Sequence, residues 1–169
     1  MAAKGKAIVG VVMGSDSDLE TMKRCLAQLK ELGVAYEVRI VSAHRTPEEA
    51  HQYAATAASR GLKIIIAAAG MSAALAGVMA ASTTLPVIGV PMDSGSLNGL
   101  DAALSTMQMP PGVPVGCMAI GAAGATNAAV YAAAILALGD KALARRLAQF
   151  KRSQRDKVLR KNEQVQSTL

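Results

Sequence analysis

The second loop of this sequence, Ser-Ala-His-Arg-Thr-Pro at residues 42–47, carries the side chains best suited to chemistry. An imidazole titrates near neutral pH, so His44 could both donate and accept a proton. A guanidinium can hold a phosphate through two hydrogen bonds, the role that we expect for Arg45. With Ser42 nearby, the loop indicates acid–base chemistry beside a bound phosphate. The other histidine, His51, falls inside a predicted helix and is interpreted as a surface residue.

The first loop, Gly-Ser-Asp-Ser-Asp at residues 14–18, lies between an apolar run and a helical pattern. Glycine permits a tight turn, and free backbone amides at a helix start attract an anion, with Ser15 and Ser17 as further donors. Asp18 could accept hydrogen bonds from ribose hydroxyls. The same residues could instead form an ordinary helix cap, and both interpretations stay open for this loop alone.

Two further loops are rich in small residues. The third loop, Gly-Met-Ser-Ala-Ala-Leu-Ala-Gly at residues 70–77, would let a flat ligand approach the backbone, although the pattern is weak by itself. The fourth loop, residues 91–99, contains serines, glycines and an asparagine, and we interpret it as a mobile cover over the site.

The elements that would position these loops alternate between apolar runs and helical patterns, as in proteins with a parallel β-sheet. Uninterrupted apolar runs are typical of strands that are buried on both faces. The predicted strands are residues 7–13, 36–41, 63–69, 86–90 and 115–120. Ligands bind outside the carboxyl ends of the strands in such sheets, which is where the four loops begin.

Helix signals separate the strands. The predicted helices lie between residues 17 and 33, 46 and 61, 73 and 82, 97 and 107, 122 and 138, and 140 and 165. Ser17 and Glu20 are predicted to form a capping box at the first helix, and Thr46 followed by Pro47 marks the second. The last helix has a narrow, broken apolar stripe, so we expect it to pack on a neighbouring subunit.

Length and composition indicate a single α/β domain. With 169 residues, of which 51% are hydrophobic, the chain can form one packed core. We assign residues 1–139 to a catalytic domain and residues 140–169 to a C-terminal helix. This helix, with nine basic and three acidic residues, carries the whole formal net charge of +6. It could be a nucleic-acid arm or a solvated basic helix, and the lack of interleaved aromatic or glycine residues favours the latter.

The cysteines and the N-terminus indicate a cellular location. Cys25 and Cys117 match no metal-ligand spacing, which favours reduced thiols in an intracellular protein. The N-terminal apolar run is too short for a signal sequence, and the sequence contains no pattern of a membrane span. We therefore expect a cytoplasmic protein without a metal, a membrane partner or a nucleic-acid partner.

Four motifs occur in a distinctive order and spacing. They are the first and second loops, Leu-Pro-Val-Ile-Gly-Val-Pro at residues 85–91, and Leu-Asn-Gly-Leu-Asp at residues 97–101. Together they resemble the PurE family, the 5-(carboxyamino)imidazole ribonucleotide mutases of purine biosynthesis. The resemblance covers roughly residues 7–140 and is specific in combination, although each motif alone is not.

The resemblance implies a flavodoxin-like three-layer α/β/α sandwich that assembles into a homo-octamer, with active sites at subunit contacts. It implies an isomerase that moves a carboxyl group from the exocyclic amine of an imidazole ribonucleotide to carbon 4 of the ring. It implies no metal, ATP or organic cofactor. By motif, His44 would be the general acid and base. The residues implied to bind substrate are Ser15, Ser17 and Arg45 at the phosphate, Asp18 at the ribose, and also Ser42, Gly70, Met71, Ser72 and Ala73.

The third loop departs from the family pattern, which usually reads Gly-Gly-Ala-Ala-His-Leu-Pro-Gly. Ala74 replaces the second family histidine and Ala76 the proline. The family branch that carboxylates aminoimidazole ribonucleotide directly with carbon dioxide also lacks this histidine, but has Arg-Ser-Asn at residues 71–73. Three functions stay open: the mutase, the direct carboxylase (a lyase) and a nucleotide-binding relative without turnover. Arg45 and the fourth loop favour the mutase, and His44 argues against the last.

Overall fold

The computed structural model describes residues 6–169 and forms an α/β domain with a long C-terminal helix. The strands are β1 Val9–Met13, β2 Tyr36–Ile40, β3 Ile64–Ala69, β4 Val87–Pro91 and β5 Gly116–Cys117. The helices are α1 Leu19–Glu31, α2 Pro47–Arg60, α3 Leu75–Ala81, α4 Leu100–Met107, α5 Gly121–Ala137 and α6 Lys141–Gln166. A 3-10 turn at Asp16–Asp18 precedes α1.

All strand pairs are parallel, and the strand order is β2-β1-β3-β4-β5. The chain leaves β1 for β2 on one side and then crosses to β3 on the other side of β1. The order therefore reverses between β1 and β3, which opens a crevice at their carboxyl ends. The predicted α/β fold with a parallel sheet is confirmed.

Helices cover both faces of the sheet, which gives the predicted three layers. Successive strand residues point to opposite faces, so Val9, Val11 and Met13 pack with buried residues of α1 and α5, while Val12 packs with those of α2 and α3. Every residue of β1 and of β4 is buried. Their uninterrupted apolar runs follow from this burial on two faces.

Alanine and glycine bring the helices close to the sheet. A Cβ placed on Gly89 of β4 would lie 2.2 Å from Thr106 Cγ2, so α4 packs directly on this strand. On the other face, the buried residues of α5 that join the core are alanines, among them Ala128 and Ala132. Small side chains in place of aromatic residues thus set a short distance between the layers.

The last predicted strand, residues 115–120, is wrong in length, because only Gly116 and Cys117 are in β5. The strand lies at the edge and pairs with β4 alone, and the Met118 amide still donates to Gly89 O at 2.9 Å. The next β4 residue on this side is Pro91, which has no N–H to continue the ladder. Helices α3 and α4 also start later than predicted, at Leu75 and Leu100.

The predicted capping box of Ser17 and Glu20 is wrong. The residue that caps is Ser15, whose Oγ accepts a hydrogen bond from the Ser17 amide at 3.3 Å and begins the 3-10 turn. This extra turn delays α1 to Leu19, and Glu20 pairs with Lys23 instead. The first loop therefore combines a local cap with exposed serine hydroxyls.

The C-terminal helix α6 begins at a strong cap and packs only through its first half. The Asp140 carboxylate accepts hydrogen bonds from the amides of Ala142 at 2.8 Å and Leu143 at 3.0 Å. Leu143 is buried, and Arg146 Nε donates to Leu32 O at 2.8 Å, beyond the end of α1. The residues beyond 153 are exposed. Among residues 6–169, the structure contains no helix long and apolar enough to cross a membrane.

Candidate active site

A cleft of about 440 Å³ opens at the carboxyl ends of β1, β2 and β3, at the reversal of strand order. Nine of the ten site residues predicted from the sequence line this cleft: Ser15, Ser17, Asp18, Ser42, His44, Arg45, Gly70, Met71 and Ser72. They come from three loops that are far apart in the chain. The topology therefore brings the predicted residues to one place.

The first loop supplies hydroxyls and one carboxylate. The Gly14 amide donates to Ala68 O at 3.0 Å, which fixes the loop beside the end of β3. Ser17 Oγ donates to Ser15 Oγ at 3.0 Å, so the two hydroxyls lie side by side. Asp18 is only 6% exposed, and this burial raises the pKa of its carboxyl above the ordinary value, partly offset by hydrogen bonds from Ser15 and Ser17.

The second loop is a closed turn that holds His44 at its exposed tip. Thr46 Oγ1 accepts from the Ser42 amide at 2.9 Å and donates to Ser42 O at 3.2 Å. Ser42 Oγ accepts from the Arg45 amide at 3.1 Å. Both ends of the turn are thus fixed by hydrogen bonds, while the imidazole of His44 lines the cleft.

Arg45 connects the second loop to the first. Its Nη2 donates to Gly14 O at 3.0 Å, across the gap between β2 and β1. A guanidinium has five N–H groups, so this bond leaves donors for an anion that lies beside Ser15 and Ser17. The arrangement of two hydroxyls and one guanidinium suits a phosphate monoester.

The third loop supplies the less polar wall of the cleft. Ala74 and Leu75 line it, although the sequence prediction did not include them. Ala73, which it did include, is 2% exposed and does not line the cleft. Its amide donates to Met71 O at 2.9 Å, so this short turn directs its side chain into the protein.

The fourth loop reaches the cleft through Ser94, which the sequence prediction placed in a cover but not among the binding residues. A Cβ on Gly70 would lie 1.9 Å from Ser94 Oγ, so the serine is in contact with the third loop. Adjacent serine and glycine residues in this loop were the signal for such a role.

The cleft thus has a polar side, which can hold a phosphate and a ribose, and an apolar side, which can hold a ring. His44 lies at the polar side, where it can move protons on a bound ligand. Within residues 6–169, the structure shows no group of three or more His, Cys, Asp or Glu that could hold a metal ion. The other histidine, His51, is exposed on α2 and its Nδ1 lies 3.0 Å from Ser82 Oγ, away from this cleft.

The chain is similar to known proteins in both sequence and structure. A family model described as AIR carboxylase matches residues 8–157. The chain is 52% identical over 158 residues to the N5-carboxyaminoimidazole ribonucleotide mutase of Bacillus subtilis, a match that covers 94% of this chain and 98% of that relative. It is also 52% identical over 150 residues to the mutase of the same name from Brucella melitensis, with coverage of 89% and 93%.

The fold has a counterpart among solved structures. The crystal structure of Treponema denticola PurE matches with a TM-score of 0.83 and 30% sequence identity. The match covers 92% of this chain and 96% of that chain.

Proposed function

Because this chain belongs to the family described as AIR carboxylase, we propose that it acts as an N5-carboxyaminoimidazole ribonucleotide mutase in purine biosynthesis. The reaction converts 5-(carboxyamino)imidazole ribonucleotide into 5-amino-1-(5-phosphoribosyl)imidazole-4-carboxylate. The observation that carries the proposal is the position of His44 in the same cleft as Ser15, Ser17 and Arg45. Curated relatives that share about half of the residues carry the mutase name.

The polar side of the cleft would bind the ribose phosphate. Ser15, Ser17 and Arg45 supply neutral and charged donors to the phosphate oxygens. Asp18 would accept hydrogen bonds from the ribose hydroxyls. The imidazole ring would then lie toward Gly70, Ala74 and Leu75, whose small or apolar side chains let a flat ring approach.

The proposed reaction needs two proton transfers and no outside oxidant or reductant. His44 protonates the carbamate nitrogen, the C–N bond breaks with its electron pair staying on nitrogen, and carbon dioxide is released. Carbon 4 of the ring, made nucleophilic by the amine, attacks the carbon dioxide. His44, now neutral, removes the proton from carbon 4 and returns to its starting form. Among the residues that line the cleft, His44 is the sole imidazole, so one side chain carries both transfers.

We also propose that the chain forms a homo-oligomer, with the octamer as the expected state. Leu100, Leu104 and Met107 of α4 are 44–57% exposed and lie on one face of the helix, opposite the buried Ala102 and Thr106. An apolar helix face of this kind favours contact with another subunit. The exposed second half of α6 would reach a neighbour in the same assembly. We expect the assembly to act on its nucleotide in the cytoplasm.

Turnover by the purified chain tests the mutase proposal. Formation of the 4-carboxylate would be followed by absorbance in two mixtures. The first contains the carbamate substrate, and the second contains aminoimidazole ribonucleotide and bicarbonate. If the chain is a mutase, the carbamate mixture should form the 4-carboxylate at bicarbonate concentrations at which the second mixture forms little of it. Efficient product formation only from the second mixture would identify the direct carboxylase, and no product from either would contradict both.

Substitution of the histidines tests the role of His44. His44→Asn is expected to abolish turnover while ribonucleotide binding, measured by calorimetry, stays largely intact. His51→Asn is the matched control, because His51 lies outside the cleft and hydrogen bonds to Ser82. Activity near the wild-type level in His44→Asn would rule out the acid–base assignment.

A further inference from the structure

One residue that lines the cleft, Met71, has an unfavourable backbone conformation. Among residues 6–169, the non-glycine residues with a positive φ are Met71 at 56° and Asn98 at 48°. Met71 belongs to the third loop and Asn98 to the fourth. A residue that has a Cβ rarely adopts a positive φ, and this backbone conformation persists only where the surrounding structure holds it.

The third and fourth loops are in contact beside Met71. A Cβ placed on Gly95 would lie 3.4 Å from Met71 Cγ, so the methionine side chain lies against the Gly95 backbone. Immediately next to it, Ser94 lies on Gly70, where a Cβ would come within 1.9 Å of Ser94 Oγ. The third loop therefore holds the fourth loop through two neighbouring contacts at the edge of the cleft.

The exposure of Met71 indicates that it does not serve the hydrophobic core. Its side chain is 61% exposed, yet it lines the cleft together with the apolar Ala74 and Leu75. Its positive φ directs an unbranched, adaptable side chain toward the fourth loop instead of the interior. The residue thus combines an apolar surface inside the cleft with a contact to the loop that borders it.

This placement matters for the intermediate of the proposed reaction, on which the inference depends. Carbon dioxide is small, uncharged and apolar, so hydrogen bonds to the cleft would retain it poorly. We propose that Met71 is a positioning residue that holds the fourth loop at the edge of the cleft and so retains carbon dioxide between its release from nitrogen and its capture by carbon 4. When the gas escapes, the atoms left behind are those of free aminoimidazole ribonucleotide.

The proposal is tested by measuring how much of the released carbon dioxide escapes and how much is captured by carbon 4. The carbamate substrate would be supplied in buffer that contains ¹³C-bicarbonate and carbonic anhydrase, and the labelled fraction of the 4-carboxylate would be measured by mass spectrometry. The yield of free aminoimidazole ribonucleotide per carbamate consumed would be measured in parallel, corrected for decomposition without enzyme. Met71→Gly is expected to raise both quantities by roughly threefold or more, because the contact by which Met71 holds the fourth loop is lost. Met71→Leu keeps an apolar contact of similar size and is expected to stay close to the wild type.

The variants also allow a measurement that is independent of turnover. Glycine adopts a positive φ freely, so Met71→Gly should remain folded, and its thermal melt would verify this. Hydrogen exchange at the amides of residues 94–97 should be faster in Met71→Gly than in the wild type or in Met71→Leu.

Two results would overturn the proposal, and they are distinguishable. In the first, the wild type forms 4-carboxylate from the carbamate, and Met71→Gly equals the wild type in labelled fraction, in yield of free aminoimidazole ribonucleotide and in hydrogen exchange. The proposed role of Met71 is then wrong, and the mutase function stands. If the wild type forms no 4-carboxylate from the carbamate, the proposed function fails, and this inference fails with it.

Discussion

We propose two tasks for Arg45 in the cleft, because its guanidinium connects two loops and would also face the expected phosphate. The bond from its Nη2 to Gly14 O fixes the first and second loops relative to each other. The side chain is exposed, so the remaining donors are accessible to a ligand. A residue of this kind contributes to affinity by direct contact and by holding the site in shape.

Replacing Arg45 by alanine is expected to weaken ribonucleotide binding by about 1.5–3 kcal/mol, the usual contribution of a hydrogen bond to a charged group. Calorimetric titration with the 4-carboxylate product would measure the affinity. Arg39→Ala is a matched control, because Arg39 is also exposed but lies on β2 outside the cleft. An unchanged affinity in Arg45→Ala would place the phosphate elsewhere.

Asp18 illustrates the cost of a buried carboxylate in a binding site. Burial raises the pKa of its carboxyl, so between the ordinary and the raised value the folded chain binds more protons than the unfolded chain. The free energy of unfolding therefore falls as the pH rises through this window and stays lower above it.

Asp18→Asn removes this charge and is expected to raise the free energy of unfolding at neutral pH. The difference from the wild type should shrink as the pH falls below the window, since the wild-type carboxyl is then protonated in both states. Urea denaturation at a series of pH values would measure it, with Asp16→Asn as the exposed neighbour for control. A difference that does not depend on pH would contradict this account. Ribonucleotide binding should weaken in Asp18→Asn, because an amide oxygen is a weaker hydrogen-bond acceptor than a carboxylate.

At the scale of elements, the sequence predicted the buried strands well because their environment is uniform. β1, β3 and β4 lie between two helical layers, so almost every residue is apolar and the pattern is unambiguous. β5 was predicted too long, because its end depends on its partner strand β4. Pro91 of β4 has no N–H to donate, so the pairing stops there. A contact that depends on a distant residue leaves no local signal.

The candidate site shows the same division. The residues of the first two loops were predicted together because each loop joins a strand end to a helix start. Ala73 was also predicted to bind substrate, but it is 2% exposed and does not line the cleft. The positive φ of Met71 could not be predicted either, because methionine ordinarily avoids it and only the packed loops enforce it.

Helix α4 packs closely on β4 at Gly89. Gly89→Ala would place a Cβ 2.2 Å from Thr106 Cγ2 and 3.0 Å from Val115 Cγ1, so α4 must shift. We expect a loss of about 1–3 kcal/mol in the free energy of unfolding, the usual cost of overpacking, measured by urea denaturation. Thr106→Ser deletes the offending methyl group and keeps the hydroxyl that donates to Ala102 O, so the double variant should recover part of the loss. If Gly89→Ala alone is as stable as the wild type, the close packing of α4 is wrong.

For the whole molecule, the strand order determines where the site forms and which surfaces remain for assembly. The reversal between β1 and β3 gathers the polar loops at one edge of the sheet. Each helix that covers the sheet buries the face that packs on the strands. The opposite face of α4 is apolar and exposed. The basic second half of α6 projects without packing on its own domain. These two surfaces are the ones for which a second copy of the chain would provide a partner.

Leu104 lies at the centre of the exposed face of α4, between Leu100 and Met107, which makes it the most sensitive position for assembly. Leu104→Glu would place a charge in an apolar contact, where it would lose hydration without gaining a partner. We expect the wild type to sediment at eight times the mass of the 17.3 kDa chain and Leu104→Glu to dissociate into smaller species. Gln52→Glu, which adds the same charge at an exposed position of α2, should keep the wild-type mass. A monomeric wild type would contradict the proposed oligomer, whereas an intact Leu104→Glu oligomer would show that the subunits meet through a surface other than α4.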